Sequence, residues 1–279
     1  MQADTFSWQT PDGLNIHALH WKQEDPVAAV GFVHGMGEHA ARYAHVAEAF
    51  AKKGIACMAY DRRGHGRSEG QRGHTPSYQA FLQEIKALVE QLKRVYNNKP
   101  IYLYGHSMGG NLVLNYLLSE EVKVQGIIAS SPWIELSFKP SPVKVQGGKL
   151  VRSILPKLSM KNELNPDFLS RDKEAVEAYI NDPLVHDKIT SNTGVFMLEQ
   201  ARFLNEFSGE IKTPLLIFHG TDDQILSHDA AQRFAERLNG PLTFKSWEGG
   251  YHELHHDINR EAVIQCTLDW LLQELKNVG

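Results

Sequence analysis

The stretch Ile101-Tyr102-Leu103-Tyr104-Gly105-His106-Ser107-Met108-Gly109-Gly110-Asn111-Leu112-Val113-Leu114 decides how this chain is read. Its first four residues form a short apolar run of the kind that fills a strand buried on both faces. Its last four fit the start of a helix. Between them stands Gly-His-Ser-Met-Gly, a GxSxG pattern. The five-residue pattern alone is weak, but a sharp turn from buried strand to helix is the setting that exposes a nucleophilic serine. Glycines on either side let strand and helix approach closely while the serine takes a strained backbone. The hydroxyl then lies at a helix N-terminus, where the dipole favours developing negative charge.

The same strand pattern repeats on both sides. Ala28–Val33, Ile55–Tyr60, Val124–Ala129 and Leu215–Phe218 are short continuous apolar runs. Helical patterns lie between them. Phe81, Ile85, Leu88, Leu92 and Val95 share one face, and further helices are expected over Arg42–Lys53, Asn111–Leu118, Asp229–Leu238 and Glu261–Lys276. Strands alternating with helices imply a mostly parallel sheet with helices on both faces. Thr5–Gln9 and Leu14–Lys22 flank the turn Thr10-Pro11-Asp12-Gly13 and predict an opening hairpin. The rhythm breaks from about Trp133 to Lys212, where Pro140, Pro142, Pro156, Pro166 and Pro183 fall and no clear buried strand appears. The α/β-hydrolase fold accounts for this order, with residues 1–131 and 213–279 as the core and 132–212 as an inserted cap.

In that fold the serine is followed in the chain by an acid and then a histidine. Leu215–Phe218 runs into His219-Gly220-Thr221-Asp222-Asp223, which puts a carboxylate at the C-terminal end of a strand, on the ligand-binding edge of the sheet. Asp223 is favoured by its spacing from Gly220, and Asp222 is the reserve. Leu242–Trp247 reads as the last strand, and the loop Glu248-Gly249-Gly250-Tyr251-His252 after it places His252 as general base, with His255 and His256 as nearby alternatives. The loop Val33-His34-Gly35-Met36-Gly37 follows an early strand, so the backbone N–H groups of Met36 and Met108 are expected to form an oxyanion hole, with His34 orienting the loop.

The chain has 279 residues, enough for one large α/β domain with an insertion. Its formal net charge of −4 argues against nucleic acid as a partner. Cys57 and Cys266 each lie in an apolar segment and read as small buried residues rather than a disulfide. No His/Cys spacing suggests a metal, and the expected chemistry requires no cofactor. The polar start, Met1 to Trp8, lacks the profile of a signal peptide, and no apolar run is long enough to span a bilayer. The expectation is a cytoplasmic protein, peripheral to a membrane at most.

Several loops together resemble the monoglyceride lipases and related lysophospholipases. His34-Gly35-Met36-Gly37-Glu38-His39 with Arg42-Tyr43, Asp61-Arg62-Arg63-Gly64-His65-Gly66-Arg67-Ser68-Glu69-Gly70, the elbow at Gly105–Gly110, Leu169-Ser170-Arg171 with Asp182-Pro183-Leu184, and Glu248–His255 carry the likeness. It implies hydrolysis of a lipid ester, with monoacylglycerol foremost and a lysophospholipid or a simple carboxylic ester as alternatives. A non-catalytic binding protein on the same fold is the remote one. It also implies a lid over a lipid tunnel and a polar pocket for the glycerol leaving group, formed here by Glu38, Arg42 and His255. Met36 stands where a smaller residue is usual, and His256-Asp257 follows His255. Between Phe138 and Lys161, Lys139, Lys144, Lys149, Arg152, Lys157 and Lys161 interleave with apolar residues and no acid intervenes. This stretch is expected to rest on an anionic membrane or micelle surface, with a homodimer through the cap as the other use of an exposed apolar face.

Overall fold

The computed structural model describes residues 2–119, 123–139 and 141–278. Pro140 therefore lies outside the described residues, as do the side chains of Lys144 and Val145 in the basic stretch. An eight-stranded sheet forms the centre. Its strands are β1 (Asp4–Gln9), β2 (Asn15–Trp21), β3 (Ala28–Val33), β4 (Ile55–Tyr60), β5 (Ile101–His106), β6 (Gly126–Ser130), β10 (Leu215–Gly220) and β12 (Leu242–Trp247), in the spatial order β1-β2-β4-β3-β5-β6-β10-β12. The first two form the expected antiparallel hairpin, β2 also runs antiparallel to β4, and the other pairings are parallel.

The inner strands β3, β4, β5, β6 and β10 are buried along their whole length because helices cover both faces, whereas the edge strand β12 is only partly buried. Along β3, Ala28, Val30 and Phe32 join one apolar cluster while Ala29 and Val33 join the other, as the two-residue period of a strand requires. Helices α2 (Tyr78–Val95), α3 (Met108–Leu117), α6 (Ser191–Glu206) and α7 (His228–Glu236) contribute to the first cluster. Helices α1 (Ala44–Ala51) and α8 (Arg260–Val278) contribute to the second. Two sequence expectations shift. The helix expected from Arg42 begins as a 3-10 turn, Ala40–Tyr43, before α1, and Val95, placed on the buried face of α2, is half exposed at the end of that helix. Both cysteines are free thiols, Cys57 buried in β4 and Cys266 partly buried in α8.

Between β6 and β10 the chain forms α4 (Pro142–Ile154), β7 (Ser159–Lys161), α5 (Lys173–Asn181), β8 (Lys188–Thr190), α6 and β9 (Gly209–Glu210). The last pairs with β11 (Leu238–Asn239), and β7 pairs with β8 in a small ribbon apart from the main sheet. Polar ties hold this segment to loops at the C-terminal edge of the sheet. His186 N–H donates to Gly37 O (2.9 Å), Glu253 N–H to Leu169 O (2.7 Å), His39 pairs with Asp182 (2.8 Å) and Arg171 with Asp257 (2.7 Å).

Candidate active site

Ser107 sits between β5 and α3 with φ 55° and ψ −116°, the conformation that L-residues avoid and that marks stored strain. The elbow closes because its glycines leave no room for anything else. A Cβ on Gly109 would lie 2.0 Å from the Val33 carbonyl oxygen, and one on Gly105 would lie 2.3 Å from that of Gly109. The turn is tied in place by Ser107 N–H to Ser130 O (3.0 Å) and Asn111 N–H to Ser107 O (3.0 Å).

Asp223 follows β10 and is buried, while Asp222 beside it is exposed and accepts from the Thr221 hydroxyl, at 3.1 Å. Successive residues of the turn face opposite ways, so the sequence alternatives separate cleanly. Oδ2 of Asp223 accepts from Nδ1 of His252 at 2.7 Å and from Nε2 of His219 at 2.9 Å; Oδ1 accepts the backbone N–H groups of Ile225 (2.8 Å) and Leu226 (3.0 Å). Burial opposes ionisation, but the charge and hydrogen bonds of His252 and His219 hold the carboxyl far below the ordinary carboxylate range. Burial alone would lower His252, but the Asp223 charge and hydrogen bond outweigh it and raise the imidazole above its usual value. His252 also lies ring to ring with His106, the residue before the serine, at 4.8 Å. His255 and His256 make no bond to Asp223. His255 is buried, stacks on Tyr43 at 5.1 Å and has no hydrogen-bond partner on either ring nitrogen among the described residues; burial pushes both histidines well down.

Ser107 and Met36 open on a cavity of about 150 Å³ whose walls are mostly apolar, Trp133, Leu136, Phe138, Leu164, Phe168 and Ile225 among them. Met108, the other expected oxyanion donor, is the first residue of α3 and wholly buried. His34 holds the loop between them as its sequence position suggested, with Nδ1–H donating to Gly35 O (2.7 Å) and Nε2 accepting the Arg62 N–H (2.9 Å).

The structure brings Glu38 and Arg42 together, but with each other and with a residue the sequence reading missed. Arg42 bonds Glu38 at 2.7 Å and forms a two-pronged pair with Glu253, at 2.7 and 2.6 Å. Glu38 also accepts from Gly35 N–H (2.5 Å) and the Tyr43 hydroxyl (2.9 Å). Glu253 is pulled down to about 2, against its burial, by Arg42. The only advance signal for Glu253 was its place directly after His252. Glu38, His106 and Glu253 bring ligand-type atoms within 4.8 Å of one another among the described residues. The Arg42 guanidinium, bonded to both carboxylates, already supplies the positive charge that a metal ion would bring there.

Residues 24–259 match the family described as serine aminopeptidase, S33. An uncharacterized abhydrolase domain-containing protein of Dictyostelium discoideum is 36% identical over 99% of this chain, which spans only 30% of that protein's length. The monoacylglycerol lipase of Mycolicibacterium smegmatis is 30% identical, covering 94% of this chain and 95% of its own. The crystal structure of Paleococcus ferrophilus monoacylglycerol lipase superposes with a TM-score of 0.83 at 32% identity, covering 98% of this chain and all of that one. With a mostly parallel sheet, a strained serine elbow and these relatives, the chain belongs to the serine aminopeptidase S33 family of α/β-hydrolases.

Proposed function

We propose that this protein is a serine ester hydrolase that cleaves monoacylglycerol to glycerol and fatty acid, with Ser107, His252 and Asp223 as its triad. The observation that carries the reading is the buried Asp223–His252 pair, packed ring to ring on His106, the neighbour in sequence of a strained serine that opens on an apolar cavity. Relatives named monoacylglycerol lipase add the substrate class. In this mechanism Ser107 Oγ attacks the ester carbonyl while His252 Nε2 takes its proton. The N–H groups of Met36 and Met108 stabilise the oxyanion. His252 returns the proton to the departing alcohol, and water then frees the fatty acid from the acyl-enzyme by the same steps. The apolar walls suit an acyl chain. The Glu38–Arg42 pair and the unpartnered His255 would serve the hydroxyls of the leaving alcohol, since a glycerol needs donors and acceptors.

The test is hydrolysis of monoacylglycerols from short to long acyl chain by wild type and Ser107→Ala. Long-chain turnover abolished in the variant is the expected result. Turnover of short soluble esters only would move the substrate to a general carboxylester, and no turnover of any ester by folded protein would end the hydrolase reading.

The same reading places the cap against the lipid surface that holds the substrate. No helix of the described residues is long and apolar enough to cross a membrane. Val143, Leu150, Ile154, Leu155, Leu158 and Met160 are nevertheless between 44% and 80% exposed, in a stretch carrying Lys139, Lys149 and Lys157 and no acid. Arg152 contributes less to such a surface, because it pairs with Glu199 at 2.9 Å and stacks on Phe196. Anionic vesicles should bind the protein, and replacing the three lysines with glutamine should weaken binding. Unchanged binding, with self-association seen by sedimentation, would instead assign this face to a homodimer.

A further inference from the structure

Arg62 has no part in the mechanism above, yet it is wholly buried, and among the described residues no carboxylate forms an ion pair with it. A buried cation is costly unless its hydrogen bonds are met. Among the described residues Nε of Arg62 has no partner, and the bonds of its two Nη atoms go to the oxyanion loop and the elbow. Nη2 donates to the Gly35 carbonyl, Nη1 to Met108 Sδ at 3.2 Å, and the guanidinium lies 5.4 Å from the Phe81 ring centroid. The Gly35 carbonyl also accepts from His34, while the Gly35 N–H donates to Glu38. Gly35 is thus clamped through both of its peptide groups. It also abuts the nucleophile: a Cβ added there would lie 3.3 Å from Ser107 Cβ. In a trans peptide the N–H lies opposite the C=O, so fixing the Gly35 carbonyl fixes the direction of the Met36 N–H.

We propose that Arg62 is a positioning residue for the oxyanion hole, holding the Gly35 carbonyl back so that the Met36 N–H meets the substrate oxygen, with its buried charge behind both donors. The proposal rests on the acyl-transfer reading. A fixed donor and a nearby positive charge in a dry site act on the charge that develops in the transition state and leave ground-state binding nearly unchanged.

The test compares a long-chain alkyl trifluoromethyl ketone with the methyl ketone of the same chain. Ser107 adds to the first, leaving an alkoxide in the hole; the second binds without addition. Wild type, Arg62→Lys, Arg62→Met and Met108→Leu are measured, with kcat and KM on an ester and thermal unfolding. Met108→Leu keeps the backbone N–H and the side-chain volume but removes the thioether acceptor. In Arg62→Met the affinity ratio of the two ketones and kcat should each fall about 10²-fold or more, with KM within about threefold. Arg62→Lys should fall between, and Met108→Leu should lose several-fold. An affinity ratio equal to that of wild type in Arg62→Met overturns the proposal. If neither variant at position 62 folds, Met108→Leu decides: a lowered ratio supports the proposal and an unchanged one overturns it. A wild type that shows no preference for the trifluoromethyl ketone removes the acyl-transfer reading itself.

Discussion

Asp223→Asn is the substitution whose consequence follows most directly from the geometry. Oδ1 of Asp223 accepts two backbone N–H groups, from Ile225 and Leu226, and Oδ2 faces Nδ1 of His252 and Nε2 of His219. An asparagine must keep its oxygen toward the two backbone donors, so its amide hydrogens face the rings. Nδ1 of His252 is then obliged to accept, which moves the proton to Nε2, the atom that should take the proton from Ser107. The wrong tautomer in an otherwise intact triad costs about 10⁴ in kcat, on the order of 5 kcal/mol of barrier. The charge that raises His252 is also lost, so the acid limb of kcat/KM, above the ordinary histidine value in wild type, should move down in pH. The assay is hydrolysis of p-nitrophenyl butyrate from about pH 5 to about pH 9, with active sites counted by a fluorophosphonate probe. Asp222→Asn is the control, and at an exposed position it should change the rate less than about twofold. A loss below tenfold in folded Asp223→Asn, or equal losses in the two variants, would refute the assignment of the acid.

Gly109→Ala places a methyl 2.0 Å from a backbone oxygen that cannot swing aside, so the urea midpoint should drop by the equivalent of about 3 kcal/mol or more; a midpoint near wild type would show that the elbow can relax. Arg42→Met strands two buried carboxylates, Glu38 and Glu253, and should cost about 3–5 kcal/mol in chemical denaturation, with part of that recovered when Glu253→Gln is added. Stability should also vary with pH in two directions. The lowered Asp223 contributes above its unfolded value of 3.8 and loses that contribution as pH falls through its folded value. The raised His252 contributes below 6.5 and loses its share as pH rises through its folded value. Urea midpoints of Asp223→Asn should therefore be flatter with pH on both sides, and parallel profiles for variant and wild type would contradict the linkage.

What the sequence determined by itself is whatever short-range rules write into neighbouring residues. A strand buried on both faces must be a continuous apolar run, and an elbow as tight as Gly105–Gly109 admits only glycine at those two positions, so β3, β4, β5, β10 and the place of Ser107 were legible. The order of serine, acid and histidine narrowed the remaining choices to a pair of aspartates and three histidines. Spacing from Gly220 favoured Asp223 over Asp222, but only the tertiary structure shows Asp223 bonded to His252 and Asp222 turned outward, because which of two adjacent turn residues faces inward depends on the loop that packs against them. It alone joined Arg42 to Glu253 across 211 residues and Arg62 to Met108 across 46. Such pairings leave no periodic trace in the chain. A buried arginine has the same letter as an exposed one, and its role is set by the elements that close around it.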